Sequence, residues 1–238
     1  PPMGFAATDN ASQSYPVPSC PETQPNPVYG TQLDEVLGVF FGECSSLGVP
    51  VMAHASPSNA SMESSEKLAS PTFWRALMGT HATAFLDGSS QVRVSLGHMG
   101  GDHDVQHLSE WREAIVDLMR DYPDRVYADL SYYEHILGSS QTRLHLADQL
   151  ASLKKPHALR NVMYGSDWSM LAAVPRSHDY LDAFVSFLTT EMQLDTSQRQ
   201  DILGLNAVRF FGLGSQSAGR ERLQLFHGDT GGWMFQEG

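Results

Sequence analysis

Val162-Met163-Tyr164-Gly165-Ser166-Asp167-Trp168 decides how the chain is read. Three apolar residues of strand type run into a Gly-Ser break, and an acid and a tryptophan stand just beyond it. A buried parallel strand that delivers a carboxylate to its own carboxyl end has this form, and in α/β proteins ligands gather at those ends. Two earlier stretches have the same shape. Val49-Pro50-Val51-Met52-Ala53 runs into His54, and Val92-Arg93-Val94-Ser95-Leu96-Gly97 runs into His98. Two histidines and one aspartate therefore each close a predicted strand.

A further strand is predicted at Val126 to Leu130, with Asp129 inside it. The four strands start at 49, 92, 126 and 161, intervals of 43, 34 and 35 residues. A strand with a returning helix takes about this length, and alternating units imply a parallel sheet, hence an α/β fold. The helical pattern between the strands agrees. Leu33, Val36, Leu37, Phe40, Phe41, Cys44 and Leu47 recur at helical spacing up to Gly48. Pro71 opens a helix with Trp74, and Leu108, Trp111, Ile115, Leu118 and Met119 form another stripe. Ser139 or Ser140 is placed to cap a helix with Leu144, Ala147 and Ala151 inward. Ser177 is placed to cap one with Tyr180, Leu181, Phe184, Phe187 and Leu188 inward, and Asn206 to cap Ala207 to Phe211, which stops at Gly212.

The expected organisation is a proline-rich loop over 1–32, an α/β unit over 33–213 and a C-terminal arm over 214–238. Seven prolines exclude a regular helix or central strand from the first segment, leaving a lid or a disordered stretch. The arm is Gly-rich and polar, with Phe226, Trp233 and Phe235 near its end.

With 238 residues, the chain is long enough for one large domain. Its formal net charge of −12 argues against a nucleic-acid partner, which needs a basic face. No apolar run is long enough to cross a bilayer, so no membrane partner is expected. Cys20 and Cys44 alone make neither a disulfide framework nor a cysteine metal cage, and no leader is evident, so the expected location is cytoplasmic. The expected partner is a small-molecule substrate.

Imidazole and carboxylate are the donor set of catalytic zinc, and they also suit manganese or iron(II). His54 and Asp167 are the candidate metal ligands. His98 is either a third ligand or a base and hydrogen-bond donor beside the metal. Trp168 is placed to line a substrate pocket, and Asp129 needs a buried partner, either to orient a site group or as a plain structural hydrogen bond. The bland reading of the trio is three polar residues where strands meet loops. His103 and His107, four apart, read as a solvated pair near a helix start.

Taken together, these stretches resemble the amidohydrolase superfamily, and more closely its branch that includes aminocarboxymuconate semialdehyde decarboxylase. The resemblance rests on Pro1 to Phe5, Val-Met-Ala-His-Ala at 51–55, Gly-His-Met-Gly-Gly at 97–101, Tyr-Gly-Ser-Asp-Trp at 164–168 and Leu-Asn-Ala-Val-Arg-Phe-Phe-Gly-Leu at 205–213. It implies a metal-dependent (β/α)8 TIM-type barrel, with His54 a ligand closing strand five. It also implies that His98, on strand six, works beside the metal on water or substrate, and that Asp167, on strand eight, is both ligand and proton acceptor. The His-x-His pair that closes strand one in that family occurs nowhere in this chain. The expectation is therefore the C-terminal half of a barrel, about strands five to eight, completed by a second copy or by an N-terminal segment. The expected activity is a metal-dependent hydrolase or decarboxylase acting on a small carbonyl or carboxylate compound. The alternative is a non-catalytic module that keeps the fold without the metal.

Overall fold

The structure, a computed structural model, describes residues 29–56, 70–78, 92–101, 108–214 and 217–228. The proline-rich segment up to residue 28, Cys20, the His103/His107 pair, Trp233 and Phe235 lie outside the described residues.

Four strands form one sheet: β1 Val51–His54, β2 Val94–Gly97, β3 Val126–Leu130 and β4 Val162–Tyr164. They are all parallel and lie side by side in chain order, as the spacing predicts. The helices are α1 Tyr29–Ser46, α2 Trp74–Met78, α3 Leu108–Asp121, α4 Ser140–Gln149, α5 Pro156–Leu159, α6 Trp168–Leu171, α7 Tyr180–Thr190, α8 Thr196–Gln200, α9 Asn206–Phe211 and α10 Ala218–His227. Helix α1 starts four residues before the expected loop boundary, and the arm contains the helix α10.

Alternation along the strands sorts their side chains onto two faces. Val94 and Leu96 of β2, Val126, Ala128 and Leu130 of β3, and Val162 of β4 join one large core. Ile115, Leu118 and Met119 of α3 and Phe184, Phe187 and Leu188 of α7 pack in that core, as do Phe41 and Cys44 of α1. Burying each of the two fully covered α7 phenylalanines contributes about 1.5–3 kcal/mol. The other strand positions are Met52 and His54, Ser95 and Gly97, Tyr127 and Asp129, and Met163. Tyr127 and Met163 form a separate small cluster with Phe210 of α9. The histidine and aspartate thus sit at the carboxyl end of a face that the main core does not occupy.

Gly48 and Gly212 end α1 and α9 in the left-handed conformation, at φ 62° and 63°. Arg93 ties both ends together, donating to the Gly48 carbonyl at 2.8 Å and the Phe210 carbonyl at 2.7 Å. A cation suits this place, because unpaired helix carbonyls carry partial negative charge.

Several helix details differ from the expectation. Ser139 caps the Thr142 N–H and Ala147 is buried as expected, but Leu144 is exposed and Leu146 is buried in its place. Ala151 falls in a separate 3₁₀ turn. Leu181 of α7 and Val36, Phe40 and Leu47 of the α1 stripe are exposed as well. Ser177 caps nothing, since a 3₁₀ turn over Ser177–Asp179 already leads into α7. Asn206 is not a cap either. The backbone before it is already helical, in a π-turn over Asp201–Leu205. Its fully buried amide instead donates to the Leu159 carbonyl at 2.7 Å and the Val162 carbonyl at 2.6 Å, fastening α9 to the start of β4.

Candidate functional site at the strand ends

His54 is the last residue of β1 and pairs in register with Gly97, the last of β2. His98 follows immediately. Alternation and register therefore bring the two imidazoles together, in edge-to-face contact with centroids 4.8 Å apart. His54 is solvent-accessible, yet loss of hydration around its ring, followed by the neighbouring His98, lowers its pKa below the ordinary imidazole value. Asp167 and Asp129 pull in the opposite direction, so both carboxylates lie close enough to act on this ring.

Asp129 is buried and collects donors from three residues. Its Oδ1 accepts the His98 N–H at 3.1 Å, the Ser131 N–H at 3.2 Å and the Ser131 hydroxyl, while Oδ2 faces the Ser95 hydroxyl at 3.5 Å. Gly97 and Gly165 flank the carboxylate: a methyl on either would stand 3.6 Å from Oδ2 or 3.4 Å from Oδ1. Ser131 extends the network, with Nδ1 of His98 2.9 Å from its hydroxyl oxygen and 3.2 Å from its carbonyl oxygen.

The strand ends are also where the backbone is unusual. Six described residues other than glycine have positive φ, and four of them are His98 (65°), Met99 (45°), Tyr132 (58°) and Asp167 (46°). Each follows a strand, and such conformations cost on the order of 1 kcal/mol. Tyr133 stabilises the first of these turns, its hydroxyl lying 2.9 Å from the His98 carbonyl and 3.3 Å from that of Gly101. Tyr180 holds the second, accepting the Tyr133 N–H at 3.1 Å and facing the Leu130 carbonyl at 3.4 Å.

Of the residues singled out in the sequence, His54, His98 and Asp129 are thus gathered at one end of the sheet. Asp167 lies at the same end, one turn past β4, and its Oδ1 accepts the Ser169 hydroxyl at 3.3 Å. Trp168 is 77% exposed and stands out toward solvent. Among the described residues, no three His, Cys, Asp or Glu side chains come together to hold a metal ion. Sequence reasoning missed Ser131, Tyr133 and Tyr180. The only signal for them was their position just after a strand or on an inward helix face. An open groove of about 840 Å³, lined by Val49, Pro50, Phe211, Leu213 and Phe226, lies at the opposite end of the strands and includes none of these groups.

Fold and site together define a parallel α/β protein with imidazole and carboxylate groups at the carboxyl ends of its strands. Residues 23–213 match the family described as Amidohydrolase, and the chain belongs to that family. None of the curated proteins matches it. Among solved structures, it is similar to a Pseudomonas putida protein described provisionally as a 2-pyrone-4,6-dicarboxylic acid hydrolase. The identity is 14%, with 89% of this chain and 95% of that one covered, and the TM-score is 0.41, a likeness too distant to build on. No described helix is long and apolar enough to cross a membrane.

Proposed function

We propose that the chain carries the strand-end machinery of a hydrolase or decarboxylase acting on a small carbonyl or carboxylate compound. In this reading β1 to β4 are the second half of a (β/α)8 barrel. The observation that supports it best is the His54–His98 contact, with Asp129 bonded behind His98 and Asp167 acting on His54. His98 moves a proton or holds the substrate oxygen, and Asp167 accepts a proton from water. Family membership supports the same chemistry.

His54 and Asp167 have the donor chemistry of ligands for a divalent ion, zinc first, then manganese or iron. Their number falls short, because no three such groups come together among the described residues. The described donors do not by themselves fit a resident ion. The same observation favours the second reading, a non-catalytic module.

The test is turnover of a panel of small carboxylates and carbonyl compounds by the full chain, alone and with added zinc or manganese. Under the catalytic reading, His98→Asn and Asp167→Asn each lower the rate by about 100-fold or more. Absence of turnover under every condition supports the non-catalytic reading, and turnover indifferent to both substitutions refutes the roles of His98 and Asp167.

A further inference from the structure

Proton accounting in the Asp129–Ser131–His98 network assigns a task to Ser131. We infer that Ser131 is the positioning residue that holds His98 in the tautomer with its proton on Nδ1, leaving a lone pair on Nε2. This rests on the reading of His98 as the group that moves a proton, and it identifies which ring nitrogen does so.

Asp129 fixes the direction of every proton in the network. Its Oδ1 takes two backbone N–H groups, those of His98 and Ser131, and these can only donate. Oδ1 is therefore an acceptor, and the hydroxyl of Ser131, in close contact with it, spends its one proton there. The Ser131 oxygen is left as an acceptor toward the ring. His98 Nδ1 thus faces two acceptors, that oxygen at 2.9 Å and the Ser131 carbonyl at 3.2 Å. A carbonyl cannot change role. The opposite tautomer would set two lone pairs against each other at the carbonyl and would have to draw the Ser131 proton away from Asp129. Among the described residues Nε2 has no hydrogen-bond partner.

Ser131 is also held in place. It is 8% exposed, and a methyl on Gly165 would stand 2.8 Å from its Cβ, so it cannot retreat from the ring on that side. On the other side, Tyr180 fastens the turn that follows it. A histidine whose working nitrogen is fixed by the bond at its other nitrogen is a recurrent device in catalytic sites.

The test is the ¹⁵N spectrum of His98 in the full chain, freed of metal with a chelator, at a pH about two units above the ordinary imidazole value. Protonated and bare ring nitrogens resonate far apart, so the tautomer ratio is read directly. Wild type is expected to hold the proton mainly on Nδ1. Ser131→Ala keeps the carbonyl but loses the hydroxyl bond, so the Nδ1–H to Nε2–H ratio should fall roughly three- to tenfold. Ser131→Cys, nearly isosteric with a weaker acceptor, should fall between them. A wild-type majority with the proton on Nε2 overturns the inference, as does a ratio unchanged in both variants. If Ser131→Ala does not fold, wild type and Ser131→Cys decide. The ratio needs no substrate: the expected tautomers in a chain without turnover would refute the enzymatic reading and leave the role of Ser131 standing.

Discussion

Replacing Asp129 by alanine tests whether the site is built around this carboxylate as a hydrogen-bond acceptor. The substitution leaves two backbone N–H groups, those of His98 and Ser131, without the oxygen they share at 3.1 and 3.2 Å. The Ser131 hydroxyl can turn elsewhere; the amides cannot. A buried donor left unpaired costs about 1–3 kcal/mol. Ser131 is buried and bears the full cost, whereas His98 is half-buried and water can reach its amide. The expected loss is therefore about 2–4 kcal/mol, in the lower half of the simple sum. Asp129→Asn keeps an oxygen for the same donors and turns its amide toward the Ser95 hydroxyl, so about 1 kcal/mol is expected. Urea unfolding followed by circular dichroism measures both, provided the slopes match wild type. An alanine variant within about 0.5 kcal/mol of wild type would refute the reasoning. So would an asparagine variant as unstable as the alanine one, because the negative charge rather than the acceptor would then matter.

Three further outcomes are expected. Gly165→Ala sets a methyl 2.8 Å from Ser131 Cβ, so it should lose about 1–3 kcal/mol and displace Ser131 from His98; unchanged stability with an unchanged His98 ring spectrum would contradict that contact. Asn206→Ala removes the donor shared by the Leu159 and Val162 carbonyls and should lower stability by about 1–3 kcal/mol in urea titration; a neutral result would mean that α9 is not fastened through it. The Gln198 N–H and the Ser197 hydroxyl hold the Asp195 carboxyl below its ordinary pKa. A depressed folded pKa stabilises above the unfolded value and is lost as pH falls through the folded one, so the melting-temperature gap between wild type and Asp195→Asn should narrow below about pH 4. A gap that stays constant into stronger acid would remove the Gln198 and Ser197 bonds to Asp195 as its cause.

The strands were legible because each is short and mostly apolar, because three of the four run into a glycine or a histidine, and because their intervals fit a repeated unit. The sheet starts two residues later than expected at β1 and β2, at Val51 and Val94, since a strand begins where its neighbour can pair with it. The helices between the strands were legible in the same way, but α10, read as part of a polar arm, was not, nor were helix faces. In α1, Phe40 and Phe41 are adjacent and equally apolar, yet Phe41 packs against Trp74 while Phe40 is left half-exposed. Spacing narrows the inward stripe to about a third of the helix surface, and the tertiary partner selects within it. Asn206 misled for a related reason: an asparagine before a helical run reads as a cap, and nothing local announces the π-turn that makes the cap unnecessary.

The candidate site divides along the same line. His54, His98 and Asp167 could be found because chemistry and position coincide: each is a ligating or titrating residue at the end of a strand. Ser131 could not, because a serine after a strand is ordinary and its task depends on the direction of its carbonyl and hydroxyl in space. The turn that follows passes through Tyr132 at φ 58°, a conformation that sequence normally announces with glycine or asparagine. His98 and Asp167 are in the same position, at φ 65° and 46°. Glycine would relieve all three backbones and would remove the imidazole and the carboxylate with the strain. Side chains that tolerate these conformations poorly therefore stand at the ends of the strands, where the imidazole and carboxylate of the proposed site are found. The hydroxyls of Tyr133 and Tyr180 hold the His98 and Tyr132 turns, so they belong to the site although neither is a candidate for the chemistry.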